Sequence, residues 1–298
     1  MYSSRYFAHV NINTADYDRA EQFYADVLGL SSLGPTSANR PQDGTPFGLA
    51  GQELGWRGGF LADERGLKGP VLDILEWTAP ATAPSPAEED GAPGLRAVGF
   101  AVASLETVTA ALESYQRPVQ RARLTVGEAV TEIVLSTDLD GTRLELREAQ
   151  PAPRYEYNRL LTRDLAASRA FYGDVLHLIC EPPQAYRVEV DGAVLESGTT
   201  VRAYLDGQSA KFWLNLTQPD DPAAMPVSSR KGNTAGLFRM ALLSDDIDAS
   251  YADLVKGLPS AQPPVDVHVG AEYVPVKALF FQDPDGTVVE YLVGMWAS

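Results

Sequence analysis

Apolar and polar positions along the chain fall into one pattern that occurs four times. Residues 7–12 alternate, and the segment after them sets Ala20, Phe23, Tyr24, Val27 and Leu28 at helical spacing, with Asp16 placed to cap it. Residues 96–102 then read as a strand followed by helical Leu105, Val108, Leu112 and Tyr115. Strand 157–162 leads to Leu165, Phe171, Tyr172, Val175 and Leu176, and strand 238–243 to Ile247, Tyr251, Leu254 and Val255. Shorter strand-like segments follow at 71–77, 131–136, 142–147, 186–190, 211–216, 273–281 and 287–293. The Asp-Gly pairs at 140–141 and 285–286 predict tight hairpin turns.

Two blocks recur in the same order in each half. Phe23-Tyr24-Ala25-Asp26-Val27-Leu28-Gly29-Leu30 returns as Phe171-Tyr172-Gly173-Asp174-Val175-Leu176-His177-Leu178. Asp138-Leu139-Asp140-Gly141-Thr142 returns as Asp283-Pro284-Asp285-Gly286-Thr287, so the chain is a duplicated domain. Units are expected at 6–78, 95–148, 155–217 and 236–293, grouped as domains 1–150 and 151–298. Residues 79–94 and 218–236, rich in Pro and charge, read as mobile linkers, and 149–154 as the divide between domains.

Strand alternation separates two faces. Ala8, Val10 and Ile12 oppose Phe7, His9 and Asn11; Leu144 and Leu146 oppose Arg143, Glu145 and Arg147; Phe212, Leu214 and Leu216 oppose Lys211, Trp213 and Asn215. One face of each sheet is therefore expected under helices, and the other, where polar groups sit among apolar ones, to form a ligand cup.

Composition narrows this picture. The 298 residues carry 45% hydrophobic side chains, enough for two cores, and a net charge of −16, which disfavours nucleic acid and anionic membranes as partners. The single cysteine, Cys180, excludes an internal disulfide and reads as a buried, inert thiol. Met1–Val10 holds no basic segment followed by an apolar core, and no apolar run reaches membrane-span length, so a cytoplasmic protein is expected.

The strand bearing His9, the Phe-Tyr-x-Asp-Val-Leu-Gly-Leu helix and the terminal Asp-x-Asp-Gly-Thr-x-x-Glu strand resemble the vicinal oxygen chelate superfamily. That group includes glyoxalase I, bleomycin-resistance proteins and extradiol dioxygenases. The resemblance implies an α+β fold of four βαβββ units in two tandem domains, each a curved incomplete barrel with helices outside. It also implies metal ligands on the first and last strands of paired units. In domain one these positions fall on His9, Asp73, Ala97 and Glu145, so His9, Asp73 and Glu145 could hold one divalent ion, or His9 could simply bond Glu145. In domain two they fall on Tyr157, Asn215, Arg239 and Glu290, where no metal is expected. Neither set supplies the two histidines and carboxylate of extradiol chemistry, and no other cofactor is implied.

Three functions stay open. The first is an enzyme transferring protons on a small carbonyl, enol or aromatic metabolite, with Glu145 or Glu290 as a desolvated general base. Its substrate would contact Phe7, Asn11, Tyr157, Arg159, Trp213, Asn215 and Arg239. Arg239 and Arg159 would clamp an anion and Tyr157 and Trp213 would stack a ring, unless Arg239 merely pairs with Glu290. The second is non-catalytic sequestration of a small molecule. The third is a metal-dependent lyase or transferase using domain one alone. His177 is expected to terminate a helix and His268 to lie in an exposed strand. A monomer or a homodimer would fit.

Overall fold

Asp16, Ser104, Asp164 and Asp246 each accept a backbone hydrogen bond at the start of the helix that follows a unit's first strand. Four equivalent caps fix four equivalent chain reversals. In the computed structural model, which describes residues 4–208, 211–270 and 275–293, the first unit comprises β1 (Ser4–Thr14), α1 (Tyr17–Leu28), β2 (Ser31–Pro35), β3 (Gln42–Asp43), β4 (Glu53–Ala62) and β5 (Val71–Ala79). The second comprises β6 (Gly94–Val102), α2 (Leu105–Ser114), β7 (Gln120–Val126), β8 (Ala129–Thr137) and β9 (Arg143–Glu148). The third has β10 (Arg154–Leu161), α3 (Leu165–Ala170), β11 (Ile179–Cys180), β12 (Gln184–Val190), β13 (Ala193–Tyr204) and β14 (Trp213–Pro219). The fourth has β15 (Gly236–Ser244), α4 (Ile247–Leu254), β16 (Val265–Val267), β17 (Val276–Gln282) and β18 (Val288–Val293).

The α+β architecture of four units is as expected, with local departures. The third helix widens into a π-turn over Phe171–Val175, where Gly173 stands in place of the first copy's Ala25. Strand 211–216 begins at Trp213, and residues 273–274 of the expected strand 273–281 lie outside the described residues. The Asp-Gly turns sit between β8 and β9 and between β17 and β18, as predicted.

The sheets do not join neighbouring units within each half. One open sheet runs β16-β17-β18-β15-β1-β5-β4-β2, uniting units one and four through antiparallel β1 and β15. In the other, β14 pairs with both β10 and β13, so the strands of units two and three close into a barrel through β6–β10 and β7–β12. Chain reach explains this partition. Five residues, 149–153, separate β9 from β10 and span at most about 17 Å, so unit three must stay beside unit two. The linkers before β6 and β15 are long enough to cross between sheets.

Those long linkers, expected to be mobile, fasten to each other. Ala83 N–H donates to the Asn233 carbonyl and Ala235 N–H to that of Ala83. Glu89 accepts from Ser228 and Ser229; burial pushes its carboxyl up, but these bonds and Arg230 more than offset it and hold it low. One apolar core containing Phe23, Phe100, Tyr172 and Leu242 draws on all four units. A second, built on Phe47, Trp56, Trp77, Phe238 and Phe280, fills part of the open sheet's other face. No helix among the described residues is long and apolar enough to cross a membrane.

Candidate functional site

Because units one and four share a sheet, His9 on β1, Asp73 on β5, Arg239 on β15 and Glu290 on β18 converge in one cup. The His9 Nε2 lies 3.4 Å from Glu290 and 3.9 Å from Asp73. Arg239 Nε donates to Glu290 over 2.7 Å, its Nη2 lies 3.5 Å from Asp73, and its Nη1 reaches the Asn11 side-chain oxygen at 3.4 Å. Thr36 donates to Asp73 over 2.8 Å, and Asn11 donates to the Asp73 carbonyl. All four converging side chains are buried, and His9 Nδ1 has no hydrogen-bond partner while Nε2 faces the two carboxylates. The cavity there, walled by Trp56, Phe60, Val267 and Val276, measures about 40 Å³. That is room for very few atoms.

Electrostatics divide the two carboxylates. Burial pushes Asp73 above the usual carboxylate range, and the charges of His9 and Arg239 offset this only in part. Burial pushes Glu290 upward too, but Arg239 and His9 outweigh it and hold the carboxyl below its usual range.

The expected set His9, Asp73 and Glu145 is not brought together. Glu145 lies on β9 in the barrel, on the other sheet, because the short 149–153 linker couples unit two to unit three. The donors that do meet, His9, Asp73 and Glu290, do not fit a divalent ion as arranged. The Arg239 guanidinium lies against both carboxylates and neutralises one of their charges. Among the described residues no cluster of three His, Cys, Asp or Glu is set to hold a metal.

In the barrel Glu145 is enclosed by cations. Arg159 donates to it from Nε at 2.9 Å and from Nη2 at 2.6 Å, the Tyr157 hydroxyl donates at 2.8 Å, and Arg143 Nε stands 3.2 Å away. Ala97, in the expected His position, is the strand partner of both Arg159 and Arg143, and its small side chain leaves both arginines room to converge. Arg143 also bonds Glu196, which accepts from Tyr186, and Arg159 stacks 4.6 Å over the Tyr186 ring. Burial would raise the Glu145 carboxyl, but the two arginines and the hydrogen bonds hold it at about 2. The expectation of a desolvated, upshifted base therefore fails at both Glu145 and Glu290, since each is buried against guanidinium.

Beside this layer the barrel holds a cavity of about 410 Å³, lined in part by Tyr157, Trp213, Asn215, Arg147, Arg202 and Gln184. Tyr157 and Trp213 stack with centroids 5.4 Å apart and planes at 26°. Arg202 lies 4.0 Å over the Trp213 ring, and Arg147 is held by two 2.5 Å bonds to Glu156. Gly99 is required opposite: a Cβ there would come within 2.2 Å of the Tyr157 ring.

Of the expected ligand contacts, Tyr157, Trp213 and Asn215 thus share the barrel cavity, with Arg159 beneath them, whereas Arg239 stands in the other cup. The clamp of Arg239 with Arg159 is not formed, because the two lie on different sheets. Arg239 pairs with Glu290 instead. Phe7 is buried in the main core against Phe212 and lines neither the cup nor the barrel cavity, and fully buried Asn11 buttresses Asp73 and Arg239. Arg147 and Arg202 were missed; Arg147 was legible as the next cup-facing position after Glu145. His177 adopts φ 58 where Gly29 has φ 66, at the helix end as expected. His268 follows β16 and touches Arg40. Cys180 is half-buried, and burial raises its thiol.

Residues 6–146 match the family model described as "Glyoxalase/Bleomycin resistance protein/Dioxygenase superfamily". Among solved structures, glyoxalase I from Zea mays is similar at 17% identity, covering 96% of this chain and 92% of that one, with a TM-score of 0.66. A point mutant of the same maize enzyme gives 18% identity, coverage of 96% and 92%, and a TM-score of 0.67. A Bacillus subtilis chain gives 15% identity, coverage of 98% and 86%, and a TM-score of 0.63. At such identities these structures show the shared fold. No curated protein matches.

Proposed function

Taking as premise that the chain, matched over residues 6–146, belongs to the Glyoxalase/Bleomycin resistance protein/Dioxygenase superfamily, we propose that it binds a small planar anion in the barrel of units two and three. The observation that carries this reading is the barrel cavity itself. Its volume falls in the range of small-molecule sites, whereas the other cup is about tenfold smaller. Its wall sets the stacked Tyr157 and Trp213 beside the guanidinium groups of Arg202 and of Arg147, the latter already paired with Glu156, with Glu181 as the one carboxylate of the lining, in a chain whose net charge is −16. Stacked on each other, Tyr157 and Trp213 would meet a flat ring with their edges, and a guanidinium group would receive its carboxylate. Asn215 and Gln184 add polar contacts that would orient it.

Calorimetric titration with aromatic carboxylates tests this reading. Saturable binding is expected in the wild type, with a loss of tenfold or more in Arg202→Met and in Trp213→Ala. Absence of binding across such a series would defeat it.

A second reading, proton transfer in the smaller cup, is favoured by one observation. Asp73 is the cup carboxyl raised by burial, and it stands 3.9 Å from His9. In this reading Asp73 rather than Glu145 or Glu290 exchanges the proton. Exchange of a substrate's acidic C–H with solvent deuterium, abolished by Asp73→Asn, would support it; equal exchange in the variant would exclude it.

A further inference from the structure

The open-sheet cup combines features that conflict with a metal centre. His9, Asp73 and Glu290 approach one another from three strands, with nitrogen and oxygen donors of the kind that divalent ions take. His9 Nδ1 is buried without a hydrogen bond, an arrangement that ordinary packing avoids, and Nε2 has only its 3.4 Å approach to Glu290. Yet the fourth strand contributes Arg239. Its Nε already bonds Glu290 Oε2 at 2.7 Å, and its Nη2 reaches Asp73 at 3.5 Å. The Phe47 ring lies 5.4 Å from the guanidinium carbon, and Asn11 and Thr36 complete the shell around the guanidinium and Asp73.

We propose that Arg239 is the built-in cation of this cup: it holds His9, Asp73 and Glu290 in register and keeps divalent ions out, so that replacing this one side chain opens a metal site. A metal bound to Glu290 and Asp73 would sit about 2 Å from their oxygens, hard against a guanidinium that shares those same atoms. The resulting repulsion, in a buried site with little water to screen it, excludes the ion. Arginine cannot relieve the conflict by losing its proton, since it stays charged at any working pH. Histidine at this position would remove the charge and add a fourth donor, completing a tetrahedral set. Alanine would remove the charge alone and leave three donors and room for water.

This inference concerns a different cup from the proposed ligand site and stands or falls separately. The test is metal stoichiometry and the visible spectrum of the Co²⁺ form, for wild type, Arg239→His, Arg239→Ala, and Arg239→His combined with His9→Ala. Wild type is expected to retain under about a tenth of an equivalent after dialysis against Zn²⁺ or Co²⁺, and to melt at the same temperature with chelator or with added ion. Arg239→His is expected to retain about one equivalent and show tetrahedral Co²⁺ bands, lost on adding His9→Ala. Wild type binding one equivalent with a His9-dependent spectrum would overturn the proposal, even if no variant folded. So would folded Arg239→His and Arg239→Ala proteins that bind none.

Discussion

Arg159 donates two hydrogen bonds to Glu145 across the short connection between β9 and β10, with both side chains almost wholly buried. The pair marks the seam where units two and three become one barrel. Removing one partner strands a charge in the interior, which costs about 3–5 kcal/mol. Glu145→Gln, which strands Arg159, should lower unfolding free energy by that order in urea titrations, and Arg159→Met by less, because Arg143 still faces Glu145. The double variant should recover part of the loss, because no unpaired charge remains at this pair. Additive losses would show that the two side chains are not coupled.

The same contact carries a pH signature. Glu145 is held at about 2, below its ordinary 4.5, so the folded state binds fewer protons than the unfolded chain between those values. Its stabilisation is complete above pH 4.5 and is lost as pH falls toward 2. At about 1.4 kcal/mol per pH unit the total is about 3 kcal/mol. The stability difference between wild type and Glu145→Gln should therefore be constant from pH 5 to 7 and shrink below pH 4.5. A difference that stays flat to pH 2.5 would contradict the assignment.

Tyr24 donates to Asp138 at 2.8 Å, and Tyr172 repeats this with Asp283 at 2.9 Å. Each carboxyl also accepts backbone bonds from its own Asp-Gly-Thr turn. Burial raises both to about 6, and the tyrosine bonds work against that rise. Tyr24→Phe should cost about 1–2 kcal/mol in chemical unfolding. It should also move the Asp138 titration, followed by carboxyl NMR, upward. An unchanged titration would mean that the hydroxyl is not bonded to the charged form.

The tyrosine contacts show what was legible in the sequence. Both repeated blocks were visible, and the structure joins them: the Tyr of the helix block bonds the first Asp of the turn block in each half. His9, Asp73, Arg239 and Glu290 were also legible as members of one positional class. Their grouping was not, because helical and strand periodicity reports which face a residue takes and nothing about which strand its own strand joins. The signal that could have settled it was linker length. Residues 149–153 are too short to let units two and three part, whereas 79–94 and 218–236 are not. The upshifted base failed for a related reason: strand faces predict burial, but Arg159 and Arg239, which offset it at Glu145 and Glu290, arrive from other strands, and only Arg143, two residues before Glu145 on β9, was legible beside it.

Gly99 gives a direct handle on the barrel. Any side chain there meets the Tyr157 ring, which has little freedom because it stacks on Trp213 and bonds Glu145. Gly99→Ala should cost about 1–3 kcal/mol in thermal or urea unfolding through overpacking. It should also weaken aromatic-carboxylate binding at least as much as Trp213→Ala does. Wild-type stability and affinity in this variant would show that the Tyr157 wall is not fixed.

The central claim is that the barrel of units two and three, rather than the cup around Arg239, is where this chain holds its ligand. The most direct measurement is a crystal structure with the tightest-binding aromatic carboxylate. Density is predicted beside Tyr157 and Trp213, with the carboxylate facing Arg147 or Arg202. Density against Arg239 and Asp73 in the open-sheet cup, with the barrel cavity holding only water, would contradict it.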